Sequence, residues 1–159
     1  MSWPALVLGA LTGLSTISFA QAPPDFAIPA SHGTTYLSSL RGRVVIVDFW
    51  ASWCEPCKDE MKYFQRAQQE YGDRLAVVTV SDELPEVAES YFRTWNIGFP
   101  VVEDPTDAIH RLYSVQKIPV TLVLRPDGGV SYVSVGAMGW EELKEAIDAA
   151  SSPAPRVLP

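Results

Sequence analysis

Residues 44–61 read VVIVDFWASWCEPCKDEM. Val44 to Trp50 is apolar on consecutive positions, not on alternate ones, which is the pattern of a strand covered on both faces inside a parallel or mixed sheet. Asp48 is the one charged residue in that run. From Pro56 to about Tyr71 the period changes: Cys57, Met61, Phe64 and Tyr71 keep near-helical spacing, and Lys58, Asp59, Lys62 and Gln69 take the other side. The stretch is therefore a central strand, a turn and a helix, with Cys-Glu-Pro-Cys at the junction. It leaves one question, which is why a buried strand carries a carboxylate.

Cys54 and Cys57 are the only cysteines, so if they pair they pair with each other. A ring that small restricts the unfolded chain little; the loop-entropy relation gives roughly 2 kcal/mol, the poor end for a structural disulfide. A zinc site needs about four ligands, but there is no second Cys-x-x-Cys, and His32 and His110, read as surface residues, sit far off in sequence. Redox chemistry remains. At a strand–helix junction the first sulfur meets unpaired backbone N–H groups and the positive end of the helix dipole, both of which favour its thiolate. Pro56 falls in the first turn, where a missing N–H costs nothing. Cys57, one turn in, is more shielded but close enough to attack a mixed disulfide on Cys54.

Outward from this segment the chain alternates. Upstream, QAPPDFAIPASHG is a Pro-rich linker passing into an edge strand at Phe26 and Ile28, and TTYLSSLRGR gives a second short strand and a turn. Downstream, LAVVTVS is a buried strand; Ala88, Tyr91, Phe92 and Trp95 recur as one face of a helix closed by Gly98; FPVVED is a short strand; and PTDAIHRLYSV is a short helix. PVTLVL, the turn RPDGG and VSYVSV form a hairpin, and Trp140, Leu143 and Ile147 mark a last helix. Trp50, Trp95 and Trp140 are read as core. The whole is an α/β domain, a central mixed sheet with helices on both faces.

The chain has 159 residues, enough for one substantial core; 47% of them are hydrophobic and 19% charged, which predicts a packed globule. A net charge of -7 argues against nucleic acid or anionic lipid as partners, since both require clustered Lys and Arg. Residues 1–20 form an uncharged, largely apolar leader ending in Ser18-Phe19-Ala20. They are expected to be a cleaved signal peptide or a membrane anchor, although the usual early Lys or Arg is missing; either places the domain outside the cytoplasm. Residues 21–150 are then the domain and 151–159 a flexible tail.

VDFWASWCEPCK resembles thioredoxin, and CEPCKDEM, segment 82–103, IPVTLVLRPDGGV and VGAMGWEELKEAI are similar to the exported TlpA/ResA-type thiol:disulfide oxidoreductases of the thioredoxin superfamily. The likeness runs from about Asp25 to Ala150, and several ordered motifs are more specific than one Cys-x-x-Cys. It implies a thioredoxin fold with an N-terminal β extension and an inserted helix and strand. It further implies a monomeric reductant of protein disulfides such as those of apocytochrome c or copper-site proteins, recharged by a membrane electron donor of the thiol-reducing type. No cofactor is implied beyond a redox-active Cys54–Cys57 disulfide.

Position by position, the resemblance makes Cys54 the attacking thiol, Cys57 the resolving thiol and Pro119, after Ile118, the cis-proline that faces the disulfide and pairs with substrate backbone. Glu55 and Pro56 match the Cys-Glu-Pro-Cys motif, Glu60 the acidic residue one helical turn after the second cysteine, and Asp48 the buried aspartate of thioredoxin. A carboxylate buried beneath Cys57, shifted upward in pKa by desolvation, is a base for the proton that Cys57 must lose. LAVVTVS lacks the Lys that thioredoxin places near that aspartate, so Glu60 is expected to share the transfer. Trp53 is expected on the docking surface. Rival readings are a Cu(I)-handling module, since thiolates suit that ion, and an oxidant that installs disulfides; a peroxide-consuming enzyme would need a Thr-x-x-Cys-type pocket, and WASWCEPC does not offer that hydroxyl.

Overall fold

The computed structural model describes residues 22–152. The expectations for the leader and for residues 153–159 lie outside these; Ser151 ends the last helix and does not begin a tail. Among the described residues no helix is long and apolar enough to cross a membrane.

Ala27–Ala30 (β1) and Gly33–Tyr36 (β2) pair antiparallel as a separate two-stranded sheet. The first is thus not an edge strand of the main sheet. Phe26, Ile28 and Leu37 explain why: they are buried against one face of that sheet, so the hairpin acts as a cover. The main sheet has five strands, Val44–Phe49 (β3), Leu75–Ser81 (β4), Val101–Glu103 (β5), Val120–Leu124 (β6) and Val130–Val135 (β7), in the order β5-β4-β3-β6-β7. β3, β4 and β5 run parallel, and β6 and β7 antiparallel to their neighbours. The expected central strand, β3, is buried at every residue. The helices are α1 (Glu55–Tyr71), α2 (Pro85–Thr94), α3 (Ala108–Leu112) and α4 (Trp140–Ser151). This mixed sheet with helices on both faces is the thioredoxin fold, with β1–β2 as the N-terminal extension and α2–β5 as the insertion.

Alternation along the strands splits the core in two. Val45, Val47 and Phe49 pack with Val78, Val80, Leu122, Leu124, Ile109 and Tyr113, on the side of α3 and the hairpin. Val44, Ile46 and Trp50 face the other way, onto Cys54, Cys57, Met61 and Phe64 of the α1 segment, Ala88 and Phe92 of α2, and Leu143 and Ile147 of α4. Asp48 belongs to this second face by the same period of two.

Two side-chain expectations need correcting. Trp95 is 54% exposed and so is not core. α2 ends at Thr94 because Asn96 takes a left-handed conformation at φ 50° and lets the Ile97 N–H reach the Phe92 carbonyl at 2.9 Å; this stops the helix four residues before Gly98 and leaves Trp95 outside. His110 is buried, not on the surface, whereas His32 is exposed. The His110 ring is drawn inward by the Asp104 carboxylate and the Phe49 ring. Trp50 is fully buried, and Trp140 is half-buried beneath the Arg66 guanidinium, 3.7 Å from the ring centre.

Candidate active site

The site starts where β3 stops. Trp50 donates its N–H to the Val80 carbonyl, and the chain then turns, with the Cys54 N–H bonded to the Ala51 carbonyl at 3.1 Å. Cys54 caps α1 in extended conformation with Pro56 in the first turn. Its sulfur thus stands at the start of a 17-residue helix, as the spacing predicts. Cys54 and Cys57 are joined by a disulfide across 5.4 Å between their Cα atoms. Cys54 keeps 5% of its surface and Cys57 none, so the opening onto the pair is narrow and lies on the side of the first sulfur.

The turn is tied down from a distance. Glu83, beyond β4, accepts the Ser52 backbone N–H at 2.6 Å and the Ser52 hydroxyl at 2.7 Å. Two bonds to one charged carboxylate fix the loop that carries Trp53 and Cys54. Nothing local in the sequence signals this contact, which spans 31 positions.

The sheet face that packs against the two cysteines, and the helix that carries Cys57, each hold a buried acid. Asp48 is fully buried and in register with Thr79 on one side and Thr121 on the other. The Thr121 hydroxyl donates to Asp48 Oδ1 at 3.1 Å, while Thr79 donates to the Pro100 carbonyl. Asp48 Oδ2 has no partner among the described residues. Burial pushes the Asp48 carboxyl well above the usual carboxylate range, the charge of Glu60 adds to this, and the Thr121 bond only partly offsets it. The strand tolerates Asp48 because burial there favours the neutral form of the carboxyl over the ionised one.

Glu60 lies one turn after Cys57 and is fully buried. Its Oε1 accepts the Met138 backbone N–H at 2.9 Å, and its Oε2 is unpartnered among the described residues. Burial raises it to about 7, against the pull of the Met138 bond and with help from the charge of Glu142. Both acids are therefore short of donors and close enough for the charge on one to disfavour ionisation of the other.

The remaining candidates divide. Trp53, 70% exposed, and Ile118 line the same cleft, of about 500 Å³. Ile118–Pro119 is a cis peptide, and Ile118 packs against the cluster that contains both cysteines. Glu55 is not in that cleft: it is exposed, paired with Lys58 at 2.7 Å, and borders a separate groove beside Tyr91 and Trp95. Sequence reading passes over Thr121, Met138 and Glu83. Thr121 was reachable by aligning strands, but the other two are contacts across the fold.

A disulfide at a helix N-terminus, next in sequence to an exposed tryptophan, can exchange with another disulfide. The family model for AhpC/TSA matches residues 19–133. The chain belongs to the AhpC/TSA family. Thioredoxin-like protein YneN of Bacillus subtilis is 34% identical over 137 residues, covering 83% of this chain and 80% of that protein. Thiol-disulfide oxidoreductase ResA of the same organism is 31% identical over 130 residues, 79% and 72% of the two chains. Among solved structures, one from Chlorobium tepidum, assigned as a thiol:disulfide interchange protein DsbE, superposes with a TM-score of 0.76 at 32% identity, covering 82% of this chain and 96% of that one. The family member described here is a thiol-disulfide oxidoreductase of the ResA-like type, with Cys54–Cys57 as its disulfide.

Proposed function

We propose that the protein reduces disulfides of partner proteins outside the cytoplasm, in the manner of proteins that prepare apocytochrome c or copper-site cysteines. The observation that carries this is the pair of donor-poor acids on the face of the sheet that holds Cys57. The Cys54 thiolate attacks one sulfur of the partner disulfide, forming a mixed disulfide and releasing the first partner thiolate. Cys57 gives its proton to the Asp48 or Glu60 carboxylate and attacks the Cys54 sulfur; the Cys54–Cys57 disulfide forms and the second partner thiolate leaves. Two electrons pass to the partner, and a membrane thiol donor returns them. Glu60, poised near neutrality, suits a base that must accept a proton and give it up again.

Trp53, Ile118 and Pro119 form the partner-facing wall, while Glu55 and Pro56 shape the start of the helix. The uncharged leader supports export, and the charge of -7 argues against a nucleic-acid partner. Reduction of insulin disulfides by the wild type, and its loss in Cys54→Ser, is the expected result; an active Cys54→Ser variant would overturn the assignment. The direction is read from the potential of the couple: near thioredoxin's roughly -270 mV it is a reductant, near about -120 mV an oxidant.

A further inference from the structure

The Asp104–His110 pair has no part in the chemistry above, yet it opens onto the same cleft. His110 is the one buried residue of the short helix α3. Its ring Nδ1 lies 2.7 Å from Asp104 Oδ2, and its backbone N–H donates to the same oxygen at 2.8 Å. Burial pushes the Asp104 carboxyl up, but the bonds from the His110 ring and from the backbone of His110 and Ile109 more than offset this and hold it below the ordinary carboxylate value. An ionised carboxylate only accepts, so Nδ1 carries the proton, and in the neutral ring Nε2 is a bare lone pair. The Phe49 ring meets the imidazole edge-on at 5.0 Å, and the Val115 N–H, bonded to the His110 carbonyl at 2.8 Å, closes the helix behind it.

Nε2 has no hydrogen-bond partner among the described residues, but it is not one of the sealed orphan atoms, which are Asp48 Oδ2, Trp50 Nε1 and Glu60 Oε2. The side chain keeps 9% of its surface and lines the cleft shared by Trp53 and Ile118. Its open edge therefore faces the space between the neighbour of Cys54 and the neighbour of Pro119. The rim carries Asp82 and Asp107 against Arg111 and Lys117. Opposite charges in equal number select neither an acidic nor a basic partner, so discrimination falls to the lone pair. A leucine at 110 would still pack on Phe49 but would leave the Asp104 carboxylate without its ring donor.

We propose that His110 is a substrate-binding residue: its Nε2 accepts a hydrogen bond from an N–H or O–H donor on the partner segment that carries the reactive cysteine, and Asp104 is the residue that positions it. This rests on Cys54 being the attacking thiol. The partner class is accordingly a neutral, extended segment with a donor beside its cysteine, in place of a charged peptide.

The test uses the reduced Cys57→Ser protein, which stops at the mixed disulfide. Release of thionitrobenzoate is timed from two probes, Ellman's reagent itself and short peptides whose single cysteine carries the thionitrobenzoate group next to Ser, Ala or an N-methylated residue. His110→Leu is expected to slow reaction with the donor-bearing peptides about tenfold, leave Ellman's reagent within about twofold, and abolish the difference between donor and N-methylated peptides; His110→Gln recovers most of the rate. A folded His110→Leu protein that takes every peptide at the parental rate would overturn the proposal, as would an equal loss toward Ellman's reagent, which would place the effect on the thiol itself. A Cys54 inert to Ellman's reagent in the parent would instead sink the redox reading.

Discussion

Asp48 and Asp104 are equally removed from water, with relative exposures of 0% and 2%, yet burial decides the state of only one of them. Asp104 receives a ring N–H and a backbone N–H on a single oxygen, and its carboxyl is held low. Asp48 receives one hydroxyl, faces the charge of Glu60, and is held high. The number of donors aimed at the charged form, more than depth, sets which acid is ionised. One acid thereby favours its ionised form and the other its neutral form.

The largest effect is expected where both carriers are removed. In Asp48→Asn/Glu60→Gln the step in which Cys57 resolves the mixed disulfide should slow on the order of 100-fold at neutral pH, read by rapid-mixing kinetics of a trapped Cys54 adduct. Each single variant should retain part of the rate and shift its pH profile. Unchanged profiles in both would show that the two acids are bystanders.

Stability should separate the two aspartates by sign. Because Asp48 and Glu60 titrate higher in the folded than in the unfolded protein, the folded state holds more protons above the ordinary carboxylate range, up to about 7 in the case of Glu60. Stability attributable to them is therefore present at low pH and falls as pH rises through that window. Asp104, held low, acts oppositely: its contribution is present above the unfolded value and is lost as pH falls through the folded one. Asp104→Asn should thus cost roughly 1–3 kcal/mol at pH 7, whereas Glu60→Gln should gain stability on the wild type between pH 5 and pH 8. Urea titrations of the oxidised proteins at the two pH values check both signs.

The smallest expected effect is that of Thr121→Val. It removes the only donor to Asp48 among the described residues, costs about 1 kcal/mol, and moves the pH dependence of Cys57 further up. A downward move would mean that the hydroxyl does not stabilise the charged carboxylate.

How far the sequence carried this picture depended on range. The unbroken apolar run of β3, the period change at Pro56 and the Cys-x-x-Cys at their junction placed the strand, the helix and the sulfurs, because each is decided by residues within one or two turns. Asp48 was conspicuous for the same reason. Its state was not legible, since that depends on Thr121 and Glu60 meeting it across the fold. Trp95 and His110 misled for related reasons: Asn96 ended α2 early, and Asp104 gave a histidine a reason to be inside. Glu83 left no local trace, because its partner Ser52 is 31 residues away.

The most direct measurement is the carboxyl infrared spectrum of the oxidised protein across pH 4 to 9, compared with Asp48→Asn, Glu60→Gln and Asp104→Asn. The account predicts protonated carboxyl bands at pH 6, of which Asp48→Asn and Glu60→Gln each remove one and Asp104→Asn removes none. A protein with no protonated carboxyl at pH 6, or one whose band is lost only with Asp104, would contradict it.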